Sequence, residues 1–327
     1  MKWQFFLGLS LLLATAAAAQ PNPSTIATYR ALQTLDGRVY SVGYRLLSAN
    51  SRWCRNVSPS AGLLIQDAYQ YGEPGAAQAA LESDGALAVI AVAPGSSADG
   101  VGLKPGDTIL RIGARSVDEI AGPMPAARPT EQRKAAVDTA LAKALDAGSA
   151  ALSISRAGTA IRATLVPQAI CASQLQVDPS EALSASADGD IVTISSAMVE
   201  YAAESDELAA VLAHEISHNL LGHRARLDQA GVDRSFFGQF GNSAKRIRAT
   251  EEEADRLSVW LMANAGYDPV AAIRFWTRFG KEHGKGIFSA STHNRWKKRV
   301  TQMQAEIDAI AKSPITEGQR APPLLGN

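Results

Sequence analysis

Hydrophobic residues recur at helical spacing in three parts of the chain. In the first part, apolar side chains follow one another at intervals of three and four: Leu32, Leu35, Val39, Val42 and Leu46. In the second part, which begins near Ser205, the apolar stripe consists of Leu208, Val211, Leu212 and Ile216. The third part opens at or crosses Thr250 and ends near Ala265, where Gly266 and then Pro269 stop it. This periodicity predicts three amphipathic helices, the second with Ser205 as its N-cap.

The segment between the first two helices has a more strand-like pattern. Its predicted elements are a strand at 86–92, a turn at 94–98, a helix at 133–145 and a hairpin formed by 151–155 and 160–166. The hairpin is expected to turn at Ala157-Gly158, and the Pro- and Ala-rich stretch 121–130 to form a surface loop. Together these elements predict a small β-rich unit at residues 75–168.

The first residues have the pattern of a secretory signal. Met1-Lys2 is a short basic start, an apolar stretch runs from Phe5 to Leu13, and small residues precede Gln20. Because a membrane-spanning helix needs about 20 apolar residues, this stretch predicts a cleaved signal peptide at 1–19, with a retained anchor as the alternative. We therefore expect an exported protein with no transmembrane span in the mature chain.

Composition and charge narrow the picture further. The 327 residues are enough for two domains, and 32 basic residues balance 32 acidic ones, so no nucleic-acid partner is expected. The only cysteines are Cys54 and Cys171, and in an oxidising compartment such a pair tends to form a disulfide; two buried thiols are the alternative. The tail at 313–327 contains Pro, Gly and polar residues, and we expect it to be flexible.

The second predicted helix carries the motif His214-Glu-Ile-Ser-His218. Each helical residue advances by about 100°, so the two histidines lie one turn apart on the same face and can bind one metal ion. Glu215 stands beside them, where it can accept a proton from a metal-bound water. This spacing is typical of zinc proteases, and a surface helix with three polar residues is the alternative. A catalytic zinc would need one further protein ligand and an open position for water.

Residues downstream of the motif offer candidates for the third ligand. His223 would lie on a different side of a continuous helix, so we interpret it as a helix-end residue or as support for a ligand. Glu251 and Asp255 are four residues apart, so one carboxylate can bind zinc while the other accepts the free ring N–H of a histidine. An ordinary acidic first turn, with Thr250 and Glu253 as a capping box, is the alternative.

The motif followed by Glu251-x-x-Ala254-Asp255 resembles the gluzincin metallopeptidases of the HtpX and CAAX-prenyl-protease type, most closely their periplasmic BepA-like members. The resemblance extends to flanking stretches at 186–195, 206–209, 265–269 and 291–293, and to Arg299. It implies one zinc ion per chain with three ligands: His214, His218 and Glu251. It further implies Glu215 as the general base and Asp255 as the support of a ligand.

Two further residues acquire candidate roles through this resemblance. His293 is expected close to the metal, either as a fourth ligand that keeps the site latent or as a hydrogen-bond donor to the oxyanion; a surface loop histidine is the alternative. Family members usually have Pro after this histidine, where this chain has Asn294. Arg299 is a second candidate for binding an oxyanion or a substrate carboxylate, or else part of a solvated helical face.

The β-rich unit is similar to a PDZ domain. The resemblance rests on residues 102–110, Gly-Leu-Lys-Pro-Gly-Asp-Thr-Ile-Leu, and on the strand and turn before them. It implies binding of an extended peptide by strand addition, with a generic small α+β domain as the alternative. We expect the N-terminal segment 20–74 to pack on a peptidase domain at 169–312. The β-rich unit would then be an insertion with the Cys54–Cys171 bridge at its base.

These features predict an α+β protein, with a mostly helical zinc metallopeptidase domain and a small PDZ-like domain. We expect a periplasmic zinc endopeptidase that hydrolyses unfolded or misassembled proteins as part of protein quality control. The main alternative is a chaperone or adaptor with a latent zinc site, but a protein that only binds would not require Glu215. A hydrolase of non-peptide amides is a weaker alternative, because the PDZ-like segment suggests polypeptide substrates.

Overall fold

The computed structural model describes residues 21–122, 130–232, 241–283 and 289–325, with the backbone alone at 241–242 and 289–295. The signal-like segment 1–19 and most of the stretch 121–130 lie outside the described residues. The helices are α1 (Pro23–Ala49), α2 (Pro74–Leu81), α3 (Ser97–Gly100), α4 (Val117–Ala121), α5 (Gln132–Asp146), α6 (Ser196–Tyr201), α7 (Ser205–Leu220), α8 (His223–Gln229), α9 (Gly241–Asn264), α10 (Val270–His283) and α11 (Ser289–Lys312). The strands are β1 (Val57–Ser60), β2 (Leu63–Asp67), β3 (Leu87–Val92), β4 (Thr108–Ile112), β5 (Arg115–Ser116), β6 (Ala150–Arg156), β7 (Thr159–Leu165), β8 (Gln168–Cys171), β9 (Gln174–Asp178), β10 (Ala185–Ala187) and β11 (Ile191–Ser195).

The predicted N-terminal helix is present as α1. The Asn22 side chain caps it by accepting a hydrogen bond from Ser24 N at 3.0 Å, and Pro23 occupies the first helical position. Its apolar stripe, which includes Val39 and Leu46, is buried in the same hydrophobic cluster as α7. The helix also packs on α2 and β3. It therefore contacts both the helical part of the molecule and the β-rich part.

An antiparallel six-stranded sheet forms the β-rich unit, with strand order β2-β3-β4-β6-β7 and β5 paired to β4. The hairpin of β6 and β7 turns at Ala157 and Gly158, as predicted, with φ angles of 48° and 74° that suit a two-residue type I′ turn. The helix α5 packs on the sheet through Val137, Leu141 and Leu145. The sheet begins with β2, before residue 75, where the sequence predicted no strand. The pairing of β2 with β3 joins residues that are distant in sequence, so the local pattern does not indicate it.

The hydrophobic cluster that α1 shares with α7 extends between α7, α9, α10 and α11 and the small sheet β10-β11-β9. Its largest fully buried side chains include Leu208, Leu212, Ile216, Leu257, Leu261 and Phe275. The stripe predicted for the second amphipathic helix is thus the core-facing side of α7. The remaining face of α7 carries its two motif histidines towards α9.

The two ends of the β-rich unit meet at a disulfide between Cys54 and Cys171, whose Cα atoms are 5.5 Å apart. Next to this bridge β1 pairs with β8, and Val57 lies opposite Cys171. The chain therefore enters and leaves the unit through adjacent paired strands, with the disulfide beside them.

The C-terminal tail is ordered in the described part of the chain, unlike the flexible tail predicted from its composition. Arg320 N donates to Asn264 Oδ1, and Asn264 Nδ2 donates to the Arg320 carbonyl, each at 2.9 Å. Leu324 and Leu325 pack against the helical core. Composition missed this because a few paired backbone groups and two leucines are enough to hold the segment. Among the helices whose residues are described, none combines the length and apolar character needed to cross a membrane.

Candidate metal centre

Helices α7 and α9 bring three side chains to one point. His214 and His218 lie one turn apart on α7, and their Nε2 atoms are 3.2 Å from each other. From α9, Glu251 places one carboxylate oxygen 3.3 Å from His214 Nε2 and the other 3.6 Å from His218 Nε2. The helix α7 begins at Ser205 itself, after an extended Glu204, so the prediction that Ser205 is the N-cap is wrong. The predicted face of the helix is unaffected by this difference.

The three side chains fit a divalent metal ion. Zinc bonds to nitrogen and oxygen are about 2.0–2.1 Å long, so tetrahedral geometry separates neighbouring ligand atoms by about 3.3 Å. The two Nε2 atoms, 3.2 Å apart, and His214 Nε2 with one Glu251 oxygen, 3.3 Å apart, are close to this value, and one ligand atom from each of the three residues lies within 4.8 Å of the others. The His214 side chain is only 4% exposed whereas that of Glu251 is 44% exposed, so the centre is closed towards the core and open on the Glu251 side. Two imidazoles and one carboxylate with an open side are typical of a hydrolytic zinc site.

His214 is supported from behind by Asp255 and Arg299. His214 Nδ1 lies 3.0 Å from Asp255 Oδ1, and Asp255 accepts hydrogen bonds from Arg299 Nε and Nη2 at 2.6 and 2.7 Å. The Arg299 guanidinium also lies over the ring of Trp276, 4.0 Å from its centroid. The alternative that Arg299 belongs to a solvated helical face is therefore wrong. Two of its donor groups bind Asp255, which links α11 to the metal centre.

The charges around the centre shift the pKa values of the candidate ligands before a metal binds. Burial, with the nearby charge of His214, lowers the pKa of His218 to about 3, so this ring is neutral and ready to bind a cation. Burial opposes protonation of His214 as well, but its contacts with Asp255 and Glu251 outweigh this and raise the pKa to about 10. These contacts favour the charged form of His214 in the metal-free chain, so metal binding competes with a proton at this ring.

Glu215 has the environment expected of a general base. Burial is the main reason that its pKa is raised, with Glu251 adding to the effect and His214 opposing it. A carboxylate with a raised pKa is a better proton acceptor than an exposed one. Glu215 is adjacent in sequence to His214, so its position on α7 is fixed by the same helix that holds two of the ligands.

His223 lies at the end of α7 and against the metal centre, which agrees with its interpretation as a helix-end residue or a support for a ligand, although a continuous helix would have turned it away. The helix α7 ends at Leu220, Gly222 adopts a left-handed conformation with φ of 61°, and α8 begins at His223. This turn carries the ring back, so that His223 Nδ1 is 2.9 Å from His218 Nδ1. His223 Nε2 is 3.1 Å from Glu253 Oε2.

Sequence reasoning missed Glu253 and Trp276. Glu253 was a capping-box candidate with Thr250, but α9 begins at Gly241 and the Thr250 hydroxyl donates to the Ile247 carbonyl. Trp276 stands edge-on to His214, with ring centroids 5.5 Å apart, and no pattern in α10 distinguishes it from a core residue. The side chain of His293 lies outside the described residues, although its backbone is helical and belongs to α11. Its two candidate roles therefore remain predictions.

Comparison with known proteins points to one class. Residues 174–242 match the profile of Peptidase family M48, a stretch that contains the motif and ends before Glu251. Together with the candidate metal centre, this match supports a metallopeptidase of the M48 type.

Two named proteins share this region. The mitochondrial metalloendopeptidase OMA1 of Schizosaccharomyces pombe is 34% identical over 30% of this chain and 36% of its own length. A beta-barrel assembly-enhancing protease of Vibrio cholerae is 27% identical over 29% of this chain and 25% of its own length. The similarity thus spans well under half of these curated relatives. Both relatives are named as peptidases, which supports a metalloprotease.

Proposed function

We propose that this chain is a zinc-dependent endopeptidase. The observation that carries the proposal is the convergence of His214, His218 and Glu251 on the helix that also carries the half-buried Glu215. A zinc ion held there would polarise both a water molecule and the carbonyl of a peptide bond. Glu215 accepts a proton from the attacking water and then donates it to the leaving amine nitrogen. Glu251 is the most exposed of the three ligands, so the substrate approaches from its side.

We propose further that the β-rich unit is PDZ-like and holds polypeptides by strand addition to β2. This strand lies at the edge of the six-stranded sheet, beside a cavity of about 760 Å³ that α1, α5 and β9 also line. Val89, which is paired with Ile65 of β2, directs both its N–H and its carbonyl towards the β4 side, to Asp107 O and Gly106 N. The backbone groups of Ile65 therefore point away from β3, on the edge where an extended peptide can pair with them.

The same proposal includes export and a role in quality control. A disulfide between Cys54 and Cys171 suits an oxidising compartment, and the N-terminal residues have the pattern of a secretory signal. The Vibrio cholerae relative is named for beta-barrel assembly, whereas the yeast relative is mitochondrial. We favour the bacterial periplasm and unfolded or misassembled proteins as substrates.

Product analysis distinguishes a protease from a chaperone or adaptor with the same metal centre. The mature chain would be incubated with an unfolded polypeptide, with its metal removed by a chelator and then with zinc restored. We expect internal cleavage products, identified by mass spectrometry, that disappear on chelation and return with zinc. The matched variants are Glu215→Gln and Glu204→Gln, since Glu204 is exposed and makes no capping bond. Stable binding of the polypeptide with no cleavage would instead support the chaperone or adaptor.

A further inference from the structure

We infer that His223 and Glu253 hold the ligand His218 in the orientation that metal binding requires. This inference rests on the proposed zinc site and assigns two positioning residues to it. His218 presents Nε2 to the other two ligands, at 3.2 Å from His214 Nε2 and 3.6 Å from Glu251. Its other ring nitrogen, Nδ1, points away from them and lies 2.9 Å from His223 Nδ1. His223 is therefore placed where it can fix the rotation of the His218 ring.

The hydrogen-bond chain has one consistent direction when both rings are neutral. An imidazole that coordinates through Nε2 carries its proton on Nδ1, so His218 Nδ1–H donates to His223 Nδ1. The proton of His223 must then be on Nε2, from which it donates to Glu253 Oε2 at 3.1 Å. Every ring nitrogen thus has a partner, and the Glu253 carboxylate accepts at the end of the chain. A metal-binding histidine whose second N–H has a fixed acceptor is held in the required tautomer and orientation.

Burial and backbone geometry hold the hydrogen-bonded series His218, His223 and Glu253 in place. His223 is almost completely buried, and its ring stands edge-on to His218 with centroids 4.8 Å apart. The left-handed Gly222 sets the direction in which His223 enters the site. Glu253 is in turn fixed by Arg226, whose Nη1 and Nη2 donate to its two oxygens at 2.6 and 3.2 Å. The carboxylate at the end of the hydrogen-bonded series is thus held by residues of both α8 and α9.

The arrangement parallels the support of the other histidine ligand. His214 is followed by Asp255 and then by Arg299, a carboxylate held by an arginine. His218 reaches its own carboxylate and arginine, Glu253 and Arg226, through the additional ring of His223. Glu253 does not contact His218 directly. His223 lies between them and connects the ligand to the fixed carboxylate by hydrogen bonds.

The test is the zinc affinity of the full mature chain, measured by competition with a chelator of known zinc affinity. His223→Phe keeps a ring of similar size but offers no acceptor, and we expect it to weaken zinc binding by about 10- to 100-fold. His223→Asn places an amide oxygen near the position of Nδ1, so we expect it to restore most of the affinity. Glu253→Gln should weaken binding by less than His223→Phe, and Glu252→Gln, on the same helix but paired with Lys298, is the matched control.

The outcomes separate this inference from the proposed function. If the unaltered chain binds no zinc, the proposed function fails and the inference with it. A different result would overturn the inference alone. In that case the unaltered chain binds zinc and His218→Ala does not, but every His223 and Glu253 variant binds zinc as tightly as Glu252→Gln. Equal weakening by His223→Phe and His223→Asn would also overturn it, because a packing role would not respond to the restored acceptor. Circular dichroism of the metal-free variants identifies any that fail to fold. Because Glu253 is partly exposed, its substitution tests the inference without altering a buried side chain.

Discussion

Replacing Asp255 by Asn would remove the charge that holds Arg299 behind the metal centre while keeping the shape of the side chain. Asp255 is completely buried and accepts two hydrogen bonds from the Arg299 guanidinium, at 2.6 and 2.7 Å. The variant would therefore leave a largely buried guanidinium without its carboxylate, and His214 without a charged partner. Both the stability of the helical unit and its affinity for metal should fall.

The magnitude follows from the pKa of Asp255. Burial opposes ionisation of this carboxyl group, but the Arg299 and His214 charges outweigh it and lower the pKa from 3.8 to about 2. A displacement of this size corresponds to about 2.5 kcal/mol in favour of the charged form. Removal of one partner from a buried ion pair typically costs about 3–5 kcal/mol, and the Asn oxygen can still accept one bond. We therefore expect Asp255→Asn to lower the free energy of unfolding by about 3 kcal/mol.

The pH dependence has a definite sign. Because the pKa of Asp255 is lower in the folded chain than in the unfolded one, its contribution is fully present above pH 3.8 and is lost as the pH falls through about 2. At neutral pH the whole effect of the substitution should appear. In the unaltered chain, the stabilisation by the ionised Asp255 should be lost only in strong acid.

The assay is urea unfolding of the metal-free chain, followed by intrinsic tryptophan fluorescence, to which Trp260, Trp276 and Trp296 of the helical unit contribute. Asp268→Asn is the matched control, since Asp268 forms an exposed ion pair with Arg274 that should contribute no more than about 1 kcal/mol. Zinc competition on the same samples should show weaker binding by about 10- to 100-fold for Asp255→Asn. If Asp255→Asn resembles the Asp268 control in both measurements, the support assigned to Asp255 and Arg299 is refuted.

Three further predictions address other parts of the structure. The Cys54→Ser, Cys171→Ser variant should lose about 5 kcal/mol of unfolding free energy in the chain-entropy model, because the bridge spans 117 residues. It should be as stable as a reduced sample of the unaltered chain. If it were as stable as the oxidised chain, the stabilising role of the bridge would be contradicted. Gly222→Ala should destabilise the metal-free chain by about 1 kcal/mol and weaken zinc binding, because φ is 61° there; a gain in stability in urea unfolding would contradict the turn described for this position. Since burial raises the pKa of Glu215 in the metal-free chain, NMR titration of that chain should place this carboxyl group above the ordinary value of 4.5, and a pKa at or below 4.5 would contradict the environment described for Glu215.

The sequence predicts local features of the site well. The spacing of His214 and His218 within an apolar stripe requires only helical periodicity, and the stripe is indeed the core-facing side of α7. Glu251 and Asp255 share one helix face for the same reason, and α9 directs both towards His214. The hairpin turn at Ala157-Gly158 is equally local, because its residues favour positive φ angles.

Features that depend on long-range contacts or on a break in a helix were not predictable in this way. His223 returns to the metal centre only because α7 stops before Gly222, and periodicity assumes that a helix continues. Arg299 contributes from a helix remote in sequence, so the resemblance suggested a role for it near the centre but not its ion pair with Asp255. The tail had too few apolar residues for a composition-based prediction of order, but Asn264 binds its backbone.

The most direct test of the central claim measures zinc content and peptide-bond cleavage on the same preparation, for the unaltered chain and for Glu215→Gln. Native mass spectrometry would give the number of zinc ions per chain, and mass spectrometry of the products would show whether internal bonds of an unfolded polypeptide are cut. We predict one zinc ion in both proteins and cleavage by the unaltered chain alone. Cleavage by Glu215→Gln at the unaltered rate, or cleavage by zinc-free protein, would contradict the account.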